Sequence, residues 1–139
     1  MEYDSKTKQL SKIAVVAQSI TSDGDTAGII IDTKDFESIT FSMMVHSIGG
    51  TGDHTLALED GDDSGLSDAA NVLVADDPKT LVGTLKTLDT ALDINRVGYI
   101  GKKRFVRAKI VTANASSLTG VSGVVAVLSN PKSGPTTDQ

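Results

Sequence analysis

His46 and His54 are the only histidines in this chain of 139 residues, and they flank one glycine-rich turn. A metal pair would need both imidazoles on one side. Before the turn, alternation sets positions 41, 43 and 45 inward; after it, positions 56 and 58. His46 then faces out, while His54 keeps phase with Leu56. Side chains on opposite faces of a pleated strand cannot share an ion. The expectation is a surface His46 and a strand-end His54.

Asp60-Gly61-Asp62-Asp63-Ser64-Gly65-Leu66-Ser67-Asp68 is the second candidate. Asp60, Asp62, Ser64 and Asp68 occupy positions one, three, five and nine of a calcium loop, with Gly65 at six. Position twelve, which should be a bidentate Glu, is Asn71, and the preceding segment reads as a strand. The expectation is a solvated acidic turn, with those four residues as its calcium candidates. Other chemistry lacks its parts. The chain has no Cys, so thiolate sites and Cys nucleophiles are out. There is no Gly-x-Ser-x-Gly elbow. Gly98-Tyr99-Ile100-Gly101-Lys102-Lys103 has the wrong spacing for a phosphate loop, and no Ser or Thr follows its lysines. We expect no enzyme and no cofactor.

Charge is more informative. The total is −5, but residues 53–78 hold eight acids and no base: Asp53, Glu59, Asp60, Asp62, Asp63, Asp68, Asp76 and Asp77. Residues 94–111 hold six bases and no acid: Arg96, Lys102, Lys103, Arg104, Arg107 and Lys109. Complementary patches orient docking between macromolecules. An acidic chain with 4% aromatics suits a protein partner better than nucleic acid. Lys102, Lys103, Arg104, Arg107 and Lys109 are the expected partner-binding residues. Charge reversal at Lys103 and Arg107 together is expected to weaken docking and leave folding intact.

The elements that must carry these residues are strands. Ile13, Val15 and Ala17 share one expected face; so do Ile39, Phe41, Met43 and Val45, with Thr40, Ser42, Met44 and His46 opposite. Ile29–Ile31 is a continuous β-branched run. Leu56 and Leu58, Val97 and Tyr99, and Val106, Ala108 and Ile110 alternate in the same way, and Val124, Val125 and Val127 close the set. Alternation with β-branched enrichment, bounded by Gly, Asp, Asn and Ser, is the strand pattern. Thr84–Leu88 is read as a strand despite leucines at helical spacing, because β-branched residues fill it. Gly65–Ala70 is read as a short helical turn capped by Ser67. The expected fold is all-β: a two-sheet antiparallel sandwich, a jelly roll of about eight strands. It spans residues 12–129, between an N-terminal arm (1–11) and a C-terminal tail (130–139). The first residues lack the basic region and apolar run of a secretion signal, and no run is long enough to span a bilayer. We therefore expect no membrane association.

Three segments, in order, resemble small structural proteins of tailed phages. The run from Val97 through Gly98-Tyr99-Ile100-Gly101 to Phe105-Val106-Arg107 resembles their Gly-Tyr-x-Gly turn leading into an aromatic-x-Arg strand. Leu56-Ala57-Leu58-Glu59-Asp60-Gly61-Asp62-Asp63-Ser64-Gly65 resembles their acidic turn after a strand, and Val124–Pro131 their closing strand. The resemblance spans roughly residues 55–131. It implies a jelly-roll capsid cement or decoration protein of podophage type. Such a protein would staple neighbouring major capsid subunits from outside. It would be a homo-oligomer, with a dimer favoured, made in the host cytoplasm and carried on the virion. The family offers no catalytic positions. The alternatives are a calcium- or carbohydrate-binding β-sandwich module and a tail-associated structural protein.

Overall fold

The computed structural model describes residues 8–48, 52–72, 81–115 and 120–132. These form ten strands and no helix: β1 (Gln9–Ser19), β2 (Gly24–Asp32), β3 (Phe36–Ser47), β4 (Asp53–Gly61), β5 (Ala70–Asn71), β6 (Leu81–Val82), β7 (Thr87–Leu88), β8 (Asp93–Tyr99), β9 (Phe105–Ala113) and β10 (Val121–Pro131). Sheet A has the order β1-β10-β3-β8-β6 and sheet B the order β2-β9-β4-β5, with β7 also on β4. Every pairing is antiparallel. The fold is thus the expected all-β, two-sheet sandwich, with ten strands where about eight were expected.

The core lies between the sheets and follows the period-2 pattern. Ile39, Phe41, Met43 and Val45 of β3, Val97 and Tyr99 of β8, and Val124, Ala126 and Leu128 of β10 point inward from sheet A. Leu56 and Leu58 of β4 and Val106, Ala108 and Ile110 of β9 meet them from sheet B. Burial of such aliphatic side chains stabilises by roughly 1.5–3 kcal/mol each.

The first strand departs from the expected face. Ile13 is 60% exposed and Ala17 is exposed, while Ala14 and Val15 are both buried. The cause is a bulge: the register with β10 shifts between Ile13 and Val15 and again before Gln18. An inserted residue reverses the phase of a strand. β2 carries its own shift between Ala27 and Ile30. The two irregular strands meet where the sheets close on each other. A Cβ at Gly28 would lie 1.9 Å from the Ala14 carbonyl oxygen, so only glycine permits this approach.

Two further readings are corrected. Thr84–Leu88 is not one strand. Gly83 turns the chain at φ 104°, and the buried Asn95 side chain takes the place of a strand partner. It donates to the Thr84 carbonyl (2.9 Å) and accepts from the Lys86 amide (3.0 Å). The segment thereby crosses from sheet A at Leu81 to sheet B at Leu88. Gly65–Ala70 is a pair of turns, not a helical one. Asp63, rather than Ser67, caps it, accepting from the Gly65 and Ser67 amides. β1 begins inside the expected arm, and β10 runs into the expected tail. Residues 1–7 and 133–139 lie outside the described residues.

Candidate docking surfaces

One end of the sandwich gathers the acidic turn and the Gly-Tyr-x-Gly turn. β4 ends there, β8 ends there and β9 begins there. Tyr99 donates its hydroxyl to Asp60 Oδ2 at 2.8 Å. Burial and the Asp60 carboxylate push the phenol well above its ordinary range. Lys103 pairs with Asp62. Arg104 holds Asp32 with two bonds, Nε to Oδ1 at 3.0 Å and Nη2 to Oδ2 at 2.8 Å, and its guanidinium lies over the Phe105 ring. Arg104 is the main cause that holds the Asp32 carboxyl below its usual value. The Lys132 amide donates to the Asp35 carbonyl, which brings the end of β10 to the same place.

The calcium candidates do not converge there. Asp60 is engaged by Tyr99 and Asp62 by Lys103. Asp68 accepts from the amides of Asp62 (2.8 Å) and Asp63 (3.1 Å). These bonds hold the Asp68 carboxyl below its usual value. Among the described residues, no group of three acidic or imidazole side chains could hold an ion. Asp76 and Asp77 lie outside the described residues.

The basic strand is answered from within the chain. Arg107 and Lys109 project from β9 onto the outer face of sheet B. Arg107 donates to Glu59 Oε2 through Nε (3.1 Å) and Nη2 (2.6 Å). Lys109 bridges Glu59 Oε1 and Asp25 Oδ2, each at 3.0 Å. Arg107 first, then Lys109, holds the Glu59 carboxyl below its usual range. The ladder Asp25–Lys109–Glu59–Arg107 therefore ties β2, β9 and β4 together. Of the five expected partner-binding residues, Lys102 alone carries no ion pair among the described residues. Reversal at Arg107 would place a carboxylate against Glu59, so the structure does not support leaving folding intact. Register exposes this: Glu59 stands opposite Arg107 across the ladder. Either strand alone shows only an outward charge.

The outer face of sheet A is different in kind. Successive rows read Ser11, Val127, Thr40, Gly98 and Val82; then Ile13, Val125, Ser42 and Arg96; then Gly123, Met44 and Ile94. Arg96 is the one Lys, Arg, Asp or Glu in these rows, and it has no ion pair among the described residues. Ile13, Val82 and Ile94 are more than half exposed. At the far end, Ala17, Met44, His46, Leu92, Asp93 and Ile94 border a groove of ≈ 440 Å³. Leu92 is 82% exposed and sits at φ 60°. A left-handed leucine costs about 1–2 kcal/mol, and no burial within the chain offsets it.

The histidines stand as their alternation required: His46 is exposed and His54 fully buried. His54 Nδ1 lies 2.8 Å from Ser122 Oγ across the sandwich. This Ser–His contact is sealed in the core, so it offers no nucleophile to a substrate. His54 Nε2 and Thr112 Oγ1 are buried without a hydrogen-bond partner among the described residues. Alternation carried His54 inward, but nothing in sequence marked Ser122 as its partner.

No protein-family description matches the chain, and no curated protein does. Among solved structures, the SPBc2 prophage-derived protein YomS is similar at 13% identity and TM-score 0.47, over 88% of this chain and 95% of that one. The CBM22-1–GH10 modules of Clostridium thermocellum endo-1,4-beta-D-xylanase 10B are similar at 12% identity and TM-score 0.41, over 96% of this chain and 28% of that one.

Proposed function

We propose that the chain is a structural protein of a tailed-phage particle, a cement protein that binds the outside of the head and staples neighbouring major capsid subunits. One observation carries this reading. Two of the three segments that resemble phage structural proteins are distant in sequence but meet at one end of the sandwich, through Tyr99–Asp60 and Asp62–Lys103, and the third, Val124–Pro131, ends at the same end, where Lys132 bonds to Asp35. Turns that brace one another make a rigid surface, and rigidity lowers the entropic cost of docking. Lys102 remains free on that surface to meet an acidic partner. Repetition over a shell turns modest single contacts into firm attachment.

A carbohydrate-binding reading needs an exposed aromatic platform. Tyr99 and Phe41 are buried, and Phe36 and Phe105 are partly covered. Tyr3 lies outside the described residues. The test is co-sedimentation of the purified chain with undecorated shells assembled from the major capsid protein of the same phage. Saturable binding at a fixed ratio to capsid subunits is expected. A chain that stays in the supernatant at micromolar concentration would overturn the proposal.

A further inference from the structure

The outer face of sheet A is a sheet surface without the charge that a solvated face usually carries. Four long strands, β1, β10, β3 and β8, make up most of it, with lengths of 7 to 12 residues. At about 4.8 Å between strands and 3.3 Å per residue, it covers roughly 600 Å² in plan. Two such faces bury about 1,200 Å² before rim side chains are added, the lower bound for a stable interface.

We propose that this face is the contact between two copies of the chain, packed sheet against sheet. A two-fold contact sets the same patch against itself, so the patch must be self-complementary. Small and apolar residues meet that condition; a charged face does not. Two molecules of net charge −5 repel wherever their acidic surfaces approach. The outward rows of sheet A hold no carboxylate, so there the two copies meet without opposing acids, and the exposed Asp93 lies beside the last row at the groove. Its one charge sits off centre. With the axis between β10 and β3, parallel to the strands, β8 lies about one and a half strand spacings, roughly 7 Å, from it. The two Arg96 side chains then stand about 14 Å apart, beyond the ~8 Å screening length of physiological salt. This arrangement lays β8 of one copy over β1 of the other, so Arg96 of one copy stands over Ile13 of its partner, the two sharing a row, and Ile94 lies in the next row of the same contact. Leu92 and the groove beside it lie at the rim of the same face, and a second copy gives the exposed leucine a place to bury.

The inference deepens the cement reading by naming the partner on one face, yet its test needs no shell. Sedimentation equilibrium of the full chain across the micromolar range should show a monomer–dimer equilibrium. Met44→Glu with Ile94→Glu, which places four carboxylates in one row of the contact, should weaken it at least a hundredfold, with circular dichroism and the melting midpoint reporting the fold. Ile29→Glu, at an exposed site on β2, should leave it within a factor of three. As a second measurement, Ser42→Cys in this cysteine-free chain should join two copies through a short bis-maleimide, whereas Thr55→Cys on sheet B should not. A monomer throughout the range overturns the inference, as does a dimer that survives the double variant and fails with Ile29→Glu. Shell binding by a monomeric chain would remove this inference and leave the cement reading. A dimer that ignores shells would do the reverse.

Discussion

Tyr99 and Asp60 share a hydrogen bond of 2.8 Å that pins one end of β4 to sheet A, while His54 and Ser122 share one of 2.8 Å that pins the other. β4 is thus tied across the sandwich at both ends by polar contacts, with Leu56 and Leu58 buried between them. Tyr99→Phe keeps the ring in the core and leaves Asp60 without its phenol donor. A bond to a charged acceptor contributes about 1.5–3 kcal/mol. Urea denaturation should show a loss in that range with the fold unchanged.

The His54 tie makes stability depend on pH. Burial pushes the His54 imidazole below its ordinary value of 6.5, against a smaller opposing effect of Asp53. The native ring stays neutral where the unfolded ring takes a proton. The contribution is therefore complete above pH 6.5 and declines as the pH falls below it, by at most about 1.4 kcal/mol per pH unit. Urea titrations at several pH values check this. In the pair His54→Leu and Ser122→Ala, that part of the decline should vanish.

The same pair separates burial from bonding. Ser122→Ala alone leaves both ring nitrogens buried and unpaired, at a cost of about 1–3 kcal/mol. The double replacement removes both partners and should cost less than the two single changes summed. A double-mutant cycle in urea measures the difference.

Lys109 should matter more than its exposed neighbours. Its side chain is 13% exposed and Glu59 is 16%, against 48% and 62% for Lys103 and Asp62. Lys109→Met should destabilise by about 2–3 kcal/mol, below the ~3–5 of breaking a fully buried pair because Arg107 still covers Glu59. Lys103→Ala should cost under about 1 kcal/mol. Glu59 titrates below its usual range, so the ladder's contribution holds above that range and is lost as acid protonates Glu59. Thermal melts of each variant give the ranking.

Millimolar calcium should leave the melting midpoint of the chain unchanged. Asp60, Asp62 and Asp68 are committed to Tyr99, to Lys103 and to backbone amides. An ion would have to break those bonds before binding. A calcium-dependent rise in the midpoint would show that the loop rearranges to bind it.

Much of the fold was legible because period 2 is a local property. Ile39, Phe41, Met43 and Val45 could be assigned to the core from one strand alone, and so could His54 from its phase with Leu56. Ile13 and Ala17 could not. A bulge changes phase without changing residue type, and this one lies where β1 meets β2 at Ala14 and Gly28. The crossing at Thr84–Leu88 was hidden for a similar reason, since Asn95 supplies its hydrogen bonds from another strand.

The sequence by itself determined the class of fold, the absence of cysteine and so of thiolate chemistry, and the split of charge into an acidic stretch and a basic one. Those are matters of residue type and spacing along one strand. Only the tertiary structure decided what the charges do. Pairing β4 with β9 sets Glu59 beside Arg107 and Lys109, so most of the basic strand is neutralised inside the molecule. Strand order likewise assembled Ile13, Val125, Met44, Ile94 and Val82 into one largely apolar face whose rows carry a single charge, Arg96. Strand pairing is long-range, and neighbours across a sheet are set by which strands meet and in what register.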